Sequence, residues 1–258
     1  MEFLKASYLN TTTQLAVNSN TTSASNLFNR DPVFQYTSDG LNDDTTTTSI
    51  QITFDSTTTL SRLAVVDMNF KEFRVFYNGA TANSLSLSGA DTTTSYYTTN
   101  ADEDKFLRFS TIQCSSITIE AKKTMIANQE KRLGLVVPTD LILALTLIPS
   151  ARGYKPKVIP KQIVHKLSDG GTRIHNIKRK WQTTLDLDFI STTQRDSLFE
   201  DVYLLWAEFN FCPFGTATGW DGGIFEAVWD GEFDFYEFSD NNANAGFSGK
   251  ISLKETPV

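Results

Sequence analysis

The last fifty residues constrain the fold most. From Asn210 to Val258 aromatic side chains and carboxylates take alternate places: Phe209 and Phe211, then Phe233 and Phe235, with Glu232, Asp234 and Tyr236 around and between the second pair. A period of two belongs to a strand with one buried face, because successive side chains point to opposite sides of a sheet. The charged face has one sign. It carries Asp221, Glu226, Asp230, Glu232, Asp234, Glu237 and Asp240, with no Lys or Arg until Lys250. Like charges facing each other across strands repel, so a one-sign face reads as half of an interface. Its counterpart lies upstream, in Arg152, Lys155, Lys157, Lys161, Lys166, Arg173, Lys178, Arg179 and Lys180, a stretch whose only carboxylate is Asp169. A chain with one basic and one acidic surface reads as an assembly protein. The interface candidates are Lys178, Arg179, Lys180, Trp220, Trp229, Glu232, Asp234 and Phe235.

At 258 residues the chain has room for two domains with separate cores. Aromatics at 12%, with 19 Phe, suit strands better than helices. A net charge of −7 speaks against nucleic acid as the partner, since phosphate neutralisation needs a basic surface. The longest apolar run, Leu133 to Ile148, is broken by Pro138, Thr139 and Asp140, so no membrane span is expected. No basic segment followed by an apolar block marks a secretory signal, and the Asn-Thr-Thr triplets at Asn10 and Asn20 read as composition bias. Cys114 and Cys212 read as buried free thiols.

From Tyr8 to about Ile119 short alternating runs recur: Ser49–Phe54, Leu60–Met68, Phe73–Asn78, Lys105–Ser110 and Ser115–Ala121. Thr, Ser, Asn, Asp and Gly join them, residues that make turns. Short strands at this spacing predict a β-sandwich or jelly roll. Thr tracts at Thr45–Thr48, Thr57–Thr59 and Thr92–Thr94 fit solvent-facing strand edges or loops. The segment Thr124–Arg132 fits a loop or one helical turn, and Leu133–Leu145 one or two buried strands interrupted at Pro138. Pro149, Gly153, Pro156 and Pro160 mark a linker, which puts a domain boundary near residue 150. Beyond it, Asp169-Gly170-Gly171 predicts a hairpin turn. Ser191 with Gln194 resembles a capping box, and Leu198, Val202, Leu205 and Phe209 form one helical stripe. The expectation is a mainly β protein: an N-terminal β-sandwich jelly roll over 1–150 and a β-rich (α+β) domain over 151–258 with one principal helix, 192–209.

Two segments carry a resemblance. SASNLFNRDPVFQYTSDG followed by SIQITFDSTTTLSRLAVVDMNFKEFRVFYNG, from Ser23 to Gly79, resembles the opening of discoidin or galactose-binding-like jelly rolls. Tyr36 stands at the loop aromatic, Ile50 to Asp55 at the following strand, and Val66-Asp67-Met68-Asn69 at the next loop. The loops carry no clear cluster of Trp and Arg of the kind sugar-binding members have. YKPKVIPKQIVHKLSDGGTRIHNIKRKWQTTLDLDFISTTQRDSLF and the ending GFSGKISLKETP are similar to tail proteins of long-tailed bacteriophages, of distal-tail, baseplate or minor tail type. That resemblance implies a non-enzymatic structural component of the virion tail, made in the host cytoplasm. Other phage tail proteins and a homo-oligomeric ring are the implied partners. A carbohydrate-binding adhesion module that recognises a host glycan is the alternative.

Other chemistry is weaker. His165 and His175 flank the Asp169 turn, but two His without a further near ligand read as ordinary strand residues. Asp221, Glu226, Asp230, Glu232 and Asp234 could supply a glycosidase pair only within a cleft. Trp220 and Trp229 could stack on sugar or anchor a core or interface. The GFSG at Gly246–Gly249 is not a nucleophile elbow, and the glycines make neither GxGxxG nor a P-loop. Asn26, Asp31, Asp39, Asp43 and Asp44 fit exposed turns better than a calcium site. No catalytic residue, cofactor or metal is expected.

Overall fold

A computed structural model describes residues 1–30, 33–39, 44–85, 91, 95–145, 154–166, 172–205, 207–213, 224–239 and 245–256. Along 154–181 it describes the backbone, with side chains at Lys157 and Lys166. The strands are β1 (Glu2–Leu4), β2 (Leu15–Val17), β3 (Tyr36–Thr37), β4 (Thr48–Val66) and β5 (Phe70–Tyr77). Then come β6 (Lys105–Thr124), β7 (Arg132–Leu133), β8 (Leu135–Thr139), β9 (Leu141–Ala144) and β10 (Tyr154–Lys166). The last are β11 (Thr172–Ile190), β12 (Phe209–Cys212), β13 (Phe225–Trp229), β14 (Asp234–Ser239) and β15 (Ala245–Glu255). One α-helix, α1 (Thr192–Ser197), runs on through a π turn at Leu198–Val202 and a 3-10 turn at Tyr203–Leu205.

The protein is mainly β, as the alternation requires. Its two compact units divide differently from a cut near residue 150. One, the split unit, joins Met1–Ala6 to Ile142–Val258, and the other, the inserted unit, is Ser7–Leu141. The reason lies in β1. Its apolar Phe3 and Leu4 are fully buried, and it pairs antiparallel with β12, placing Leu4 opposite Asn210. The Pro/Gly run does not act as a linker where it is described, since β10 starts at Tyr154 and carries Pro156 and Pro160. It ends the sheet order, where a missing N–H costs no ladder bond.

In the inserted unit β4 and β6 are single long strands, each covering two of the expected runs. Register shifts between Thr53 and Thr58 and between Leu60 and Arg62 bend them. Before the bend β4 lies between β2 and β6; after it, between β8 and β6. The curled sheet closes over one core that includes Ile50, Ile52, Leu63, Val65, Phe73, Ile117 and Ile119. The Thr57–Thr59 tract therefore lies within a bent strand. Pro138 also sits inside β8, opposite Leu63, and the break falls at Asp140, whose carboxylate accepts the Ser61 hydroxyl at 2.6 Å. Cys114 here and Cys212 in the split unit are buried and outside any disulfide.

The split unit is built on an eight-stranded sheet in the order β10-β11-β15-β13-β12-β1-β9, with β14 also paired to β15. Alternate residues Leu185 and Leu187 of β11 and Ile251 and Leu253 of β15 enter one core with Phe3, Leu198, Phe209 and Phe211. The capping box forms as read: the Gln194 N–H donates to Ser191 Oγ at 3.2 Å and the Ser191 N–H to Gln194 Oε1 at 3.1 Å. The helix is shorter than 192–209. Leu198 and Val202 are buried, but Leu205 is 44% exposed and Phe209 belongs to β12. The π turn and then the tighter 3-10 turn change the residues per turn, which carries position 205 off the stripe.

Candidate functional site

Three segments of the inserted unit converge on a polar pocket. The first contains β3, held by long-range hydrogen bonds: the Asn20 amide donates to Thr37 O at 2.7 Å and the Asn26 amide to Gln35 O at 2.9 Å. Tyr36 is fully buried, donates to Ser19 O at 2.8 Å, and has its hydroxyl pushed up to about 12 by burial. The second follows β4, where Asp67 adopts φ +56° and its N–H donates to Asp104 Oδ1 at 2.8 Å. The Asn69 amide then donates to Glu130 O and accepts from the Arg132 N–H, both at 2.8 Å. The third is the Thr124–Arg132 loop, turned by Asn128 at φ +60°. Its Lys131 is buried, with Nζ donating to Thr46 O at 2.8 Å.

β3 and β7 pair Thr37 with Arg132, which brings the first and third segments together. The Arg132 guanidinium lies 3.4 Å from Asp67 Oδ1 and 4.0 Å from Glu103, and the other Asp67 oxygen accepts the Gln35 amide. Gly134 permits this approach, because a Cβ there would stand 3.0 Å from Asp67 Cβ. The result is an open cavity of about 340 Å³ walled by Thr37, Asn69, Asn128, Gln129, Glu130 and Arg132. The same segments leave Val33, Phe34 and Ile126 exposed, at 80%, 48% and 66%. The sequence reading missed these wall residues. The usable signals were Asn69, at the end of the Val66–Asn69 loop motif, and the polar ANQE run before Lys131 and Arg132.

The sequence-derived candidates fall in the split unit. Lys178, Arg179 and Lys180 lie on β11, in register with Lys161, Pro160 and Ile159 of β10. The last β11–β15 pair is Gln182 with Lys254, whereas β10 and β11 stay paired out to Lys166 and Thr172. Val158–Lys166 and Thr172–Trp181 thus make a two-stranded arm that no third strand joins among the described residues. The register sets His165 opposite Arg173 and His175 opposite Ile163, so the two His are not paired. Arg152, Asp169, Asp221, Asp240 and Trp220 lie outside the described residues, as do Asp31 and Asp43 of the calcium reading. Asn26 and Asp44 are tied into turns, the latter accepting from the Thr124 N–H and hydroxyl at 3.1 Å.

Trp229, Glu232, Asp234 and Phe235 do come together, on a ledge with the helical segment. Trp229 meets Tyr203 edge-on at 5.3 Å and stacks on Phe233 at 5.7 Å. Phe233 also meets Phe235 at 4.6 Å and Phe199 at 5.0 Å. Glu200, Asp201, Glu208, Glu232, Asp234 and Glu237 are exposed on the segments that carry these rings or adjoin them. A cavity of about 140 Å³ opens beside them, lined by Val202, Tyr203, Ala207, Val228, Trp229 and Gly231. None of the carboxylates of the glycosidase reading lines it. The Trp229 indole N–H is buried without a hydrogen-bond partner. Gly249 lets β14 close on β15, since a Cβ there would lie 2.5 Å from Phe235.

No protein-family model matches the chain, and no curated protein matches it. Among solved structures it is similar to a chitosan-binding module 1 derived from a chitosanase/glucanase of Paenibacillus sp. IK-5, at 10% identity and a TM-score of 0.42. That match covers 52% of this chain and 98% of the module. A module numbered CBM32-3, from a family 31 glycoside hydrolase of Clostridium perfringens, gives 15% and 0.39, covering 52% and 95%. A pectin-binding carbohydrate binding module gives 16% and 0.36, covering 55% and 96%. Such likeness is loose, and the functional reading rests on the residues above.

Proposed function

We propose that the chain is a non-enzymatic recognition protein whose inserted unit binds carbohydrate. One observation carries this: the open pocket walled by amides, hydroxyl, carboxylate and guanidinium, with Phe34, Val33 and Ile126 exposed on the segments that build it. Sugar hydroxyls donate and accept, and the Asn128 and Gln129 amides can do both. The C–H faces of a pyranose are apolar and match an exposed ring and aliphatic side chains. Titrating the full chain with glycans chosen from an array tests the reading. Phe34→Ala should weaken binding roughly two- to tenfold, and Gln129→Ala by a similar factor. Absence of binding to neutral, amino and acidic glycans, or indifference to both substitutions, would overturn it.

A second reading concerns the split unit, and the two-stranded basic arm favours it. On this reading the chain is a structural component of a bacteriophage tail, at the tip, baseplate or a tube-associated ring, with other tail proteins as partners. The inserted unit would then be its glycan-reading part. Negative-stain images of the purified protein should contain rings or tubes. A monodisperse monomer at high concentration and low salt would count against it.

A further inference from the structure

We propose that the basic arm of one copy seats on the acidic, aromatic ledge of a second copy. This rests on the assembly reading and adds where the contact lies. Isolated two-stranded hairpins are marginally stable in water. This one continues beyond its last three-stranded position for about nine residues, roughly 30 Å. Its charge makes it less stable still. The arm carries Lys161, Lys166, Arg173, Lys178, Arg179 and Lys180 and no carboxylate. Its register sets Lys161 directly opposite Lys178, a pairing of like charges that destabilises a ladder.

The ledge has the complementary character. Its exposed acids share their segments with half-exposed rings, and Phe199, Leu204 and Leu205 are 37%, 43% and 44% exposed. The cations described nearby are few. Arg195 is paired with Asp196 and lies over the Phe247 ring, Lys250 is 3.6 Å from Asp186, and Lys254 is exposed opposite Val228. The outer edge of a terminal strand such as β10 offers backbone groups to a partner. Strand order argues for a second copy. The arm leaves β15 past Lys254, whereas β14 pairs with its other end, Ala245 to Lys250. Each step along the arm therefore leads away from the acids of β14. Trp229, paired with Leu253, and Asp230, which accepts the Gln182 amide at 3.2 Å, lie at the arm's root, whereas the β14 acids lie at the other end of β15, so the outer part of the arm meets them head to tail in a second copy.

The test is sedimentation of the full chain at low and high salt, with hydrogen exchange followed against protein concentration. Wild type should associate, more weakly at high salt, and amides of 158–166 and 172–181 should gain protection as concentration rises. The triple reversal K178E/R179E/K180E and the double reversal E232K/D234K should each weaken association at least tenfold, and mixing the two variants should restore part of it. Association that ignores both reversals, or arm protection independent of concentration, would overturn the docking site while leaving the assembly reading standing. A strictly monomeric wild type would remove both.

Discussion

The two units handle charge in opposite ways. In the inserted unit charges are compensated where they arise. Arg74 lies 2.8 Å from Glu120 and over the Tyr96 ring, and Glu72 holds both Lys123 at 2.7 Å and Lys122 at 3.5 Å. Even the fully buried Lys131 finds a carbonyl. In the split unit the signs are separated, cations on an arm and carboxylates on a ledge. Locally paired charge leaves a surface that is complete by itself, and its open feature is a small pocket. Separated charge leaves patches of one sign. The comparison teaches that one chain can pair its charges locally in one unit and keep patches of one sign in the other.

The largest expected effect comes from cutting the two apart. Residues Ser7 to Leu141 enter and leave the split unit between β1 and β9, which are neighbours in its sheet, with Met1 and Leu145 exchanging backbone hydrogen bonds. Replacing the insert by a short Gly/Ser link should leave a cooperatively melting protein that still self-associates and has lost all glycan binding. An unfolded product on circular dichroism would break the comparison. A medium effect should separate two leucines of the helical segment. Leu198→Ala should cost about 2–5 kcal/mol in chemical denaturation, because the position is buried. Leu205→Ala should fall within about 0.5 kcal/mol while weakening association. Equal losses of stability would mean that Leu205 belongs to the core after all.

The smallest effect at neutral pH, and the one that sharpens the contrast, is alkaline. Burial pushes Tyr36 up to about 12 and the Cys114 thiol up to about 11, both in the inserted unit. A folded pKa above the unfolded value means that the protonated form is favoured in the fold. The stability it contributes is complete below the unfolded pKa and lost as pH rises through the folded one. The inserted unit should therefore lose stability between about pH 9 and 11 through Cys114, and between about pH 10 and 12 through Tyr36. Melting followed by tyrosinate absorbance would check this, and a flat profile to pH 12 would refute it.

Much of the architecture was legible because it follows from period and burial. The alternation in Phe209–Phe211 and Phe233–Phe235 read as strand, and Ser191 with Gln194 announced the helix start. What was not legible depended on distant partners. Nothing near Phe3 says that its strand pairs with residues two hundred positions away, so the unit boundary was misplaced. Pro156 and Pro160 suggested a linker because an edge strand and a linker tolerate proline equally. The helix was extended too far because periodicity assumes uniform winding, which the π turn breaks. The interface candidates were readable as charge runs. The pocket was not, since Asn69, Asn128 and Arg132 are ordinary loop residues until the β3–β7 pairing brings their segments together.

The pairing of β1 with β12 also imposes an order in time. The Asn210 amide donates to Lys5 O across 205 residues of sequence. At synthesis rates of about 5–20 residues per second, β1 waits roughly 10–40 s on a ribosome for its partner strand. The whole inserted unit is made within that interval and can fold while the apolar Phe3 and Leu4 still lack cover. The split unit can pair β1 with β12 only after that interval.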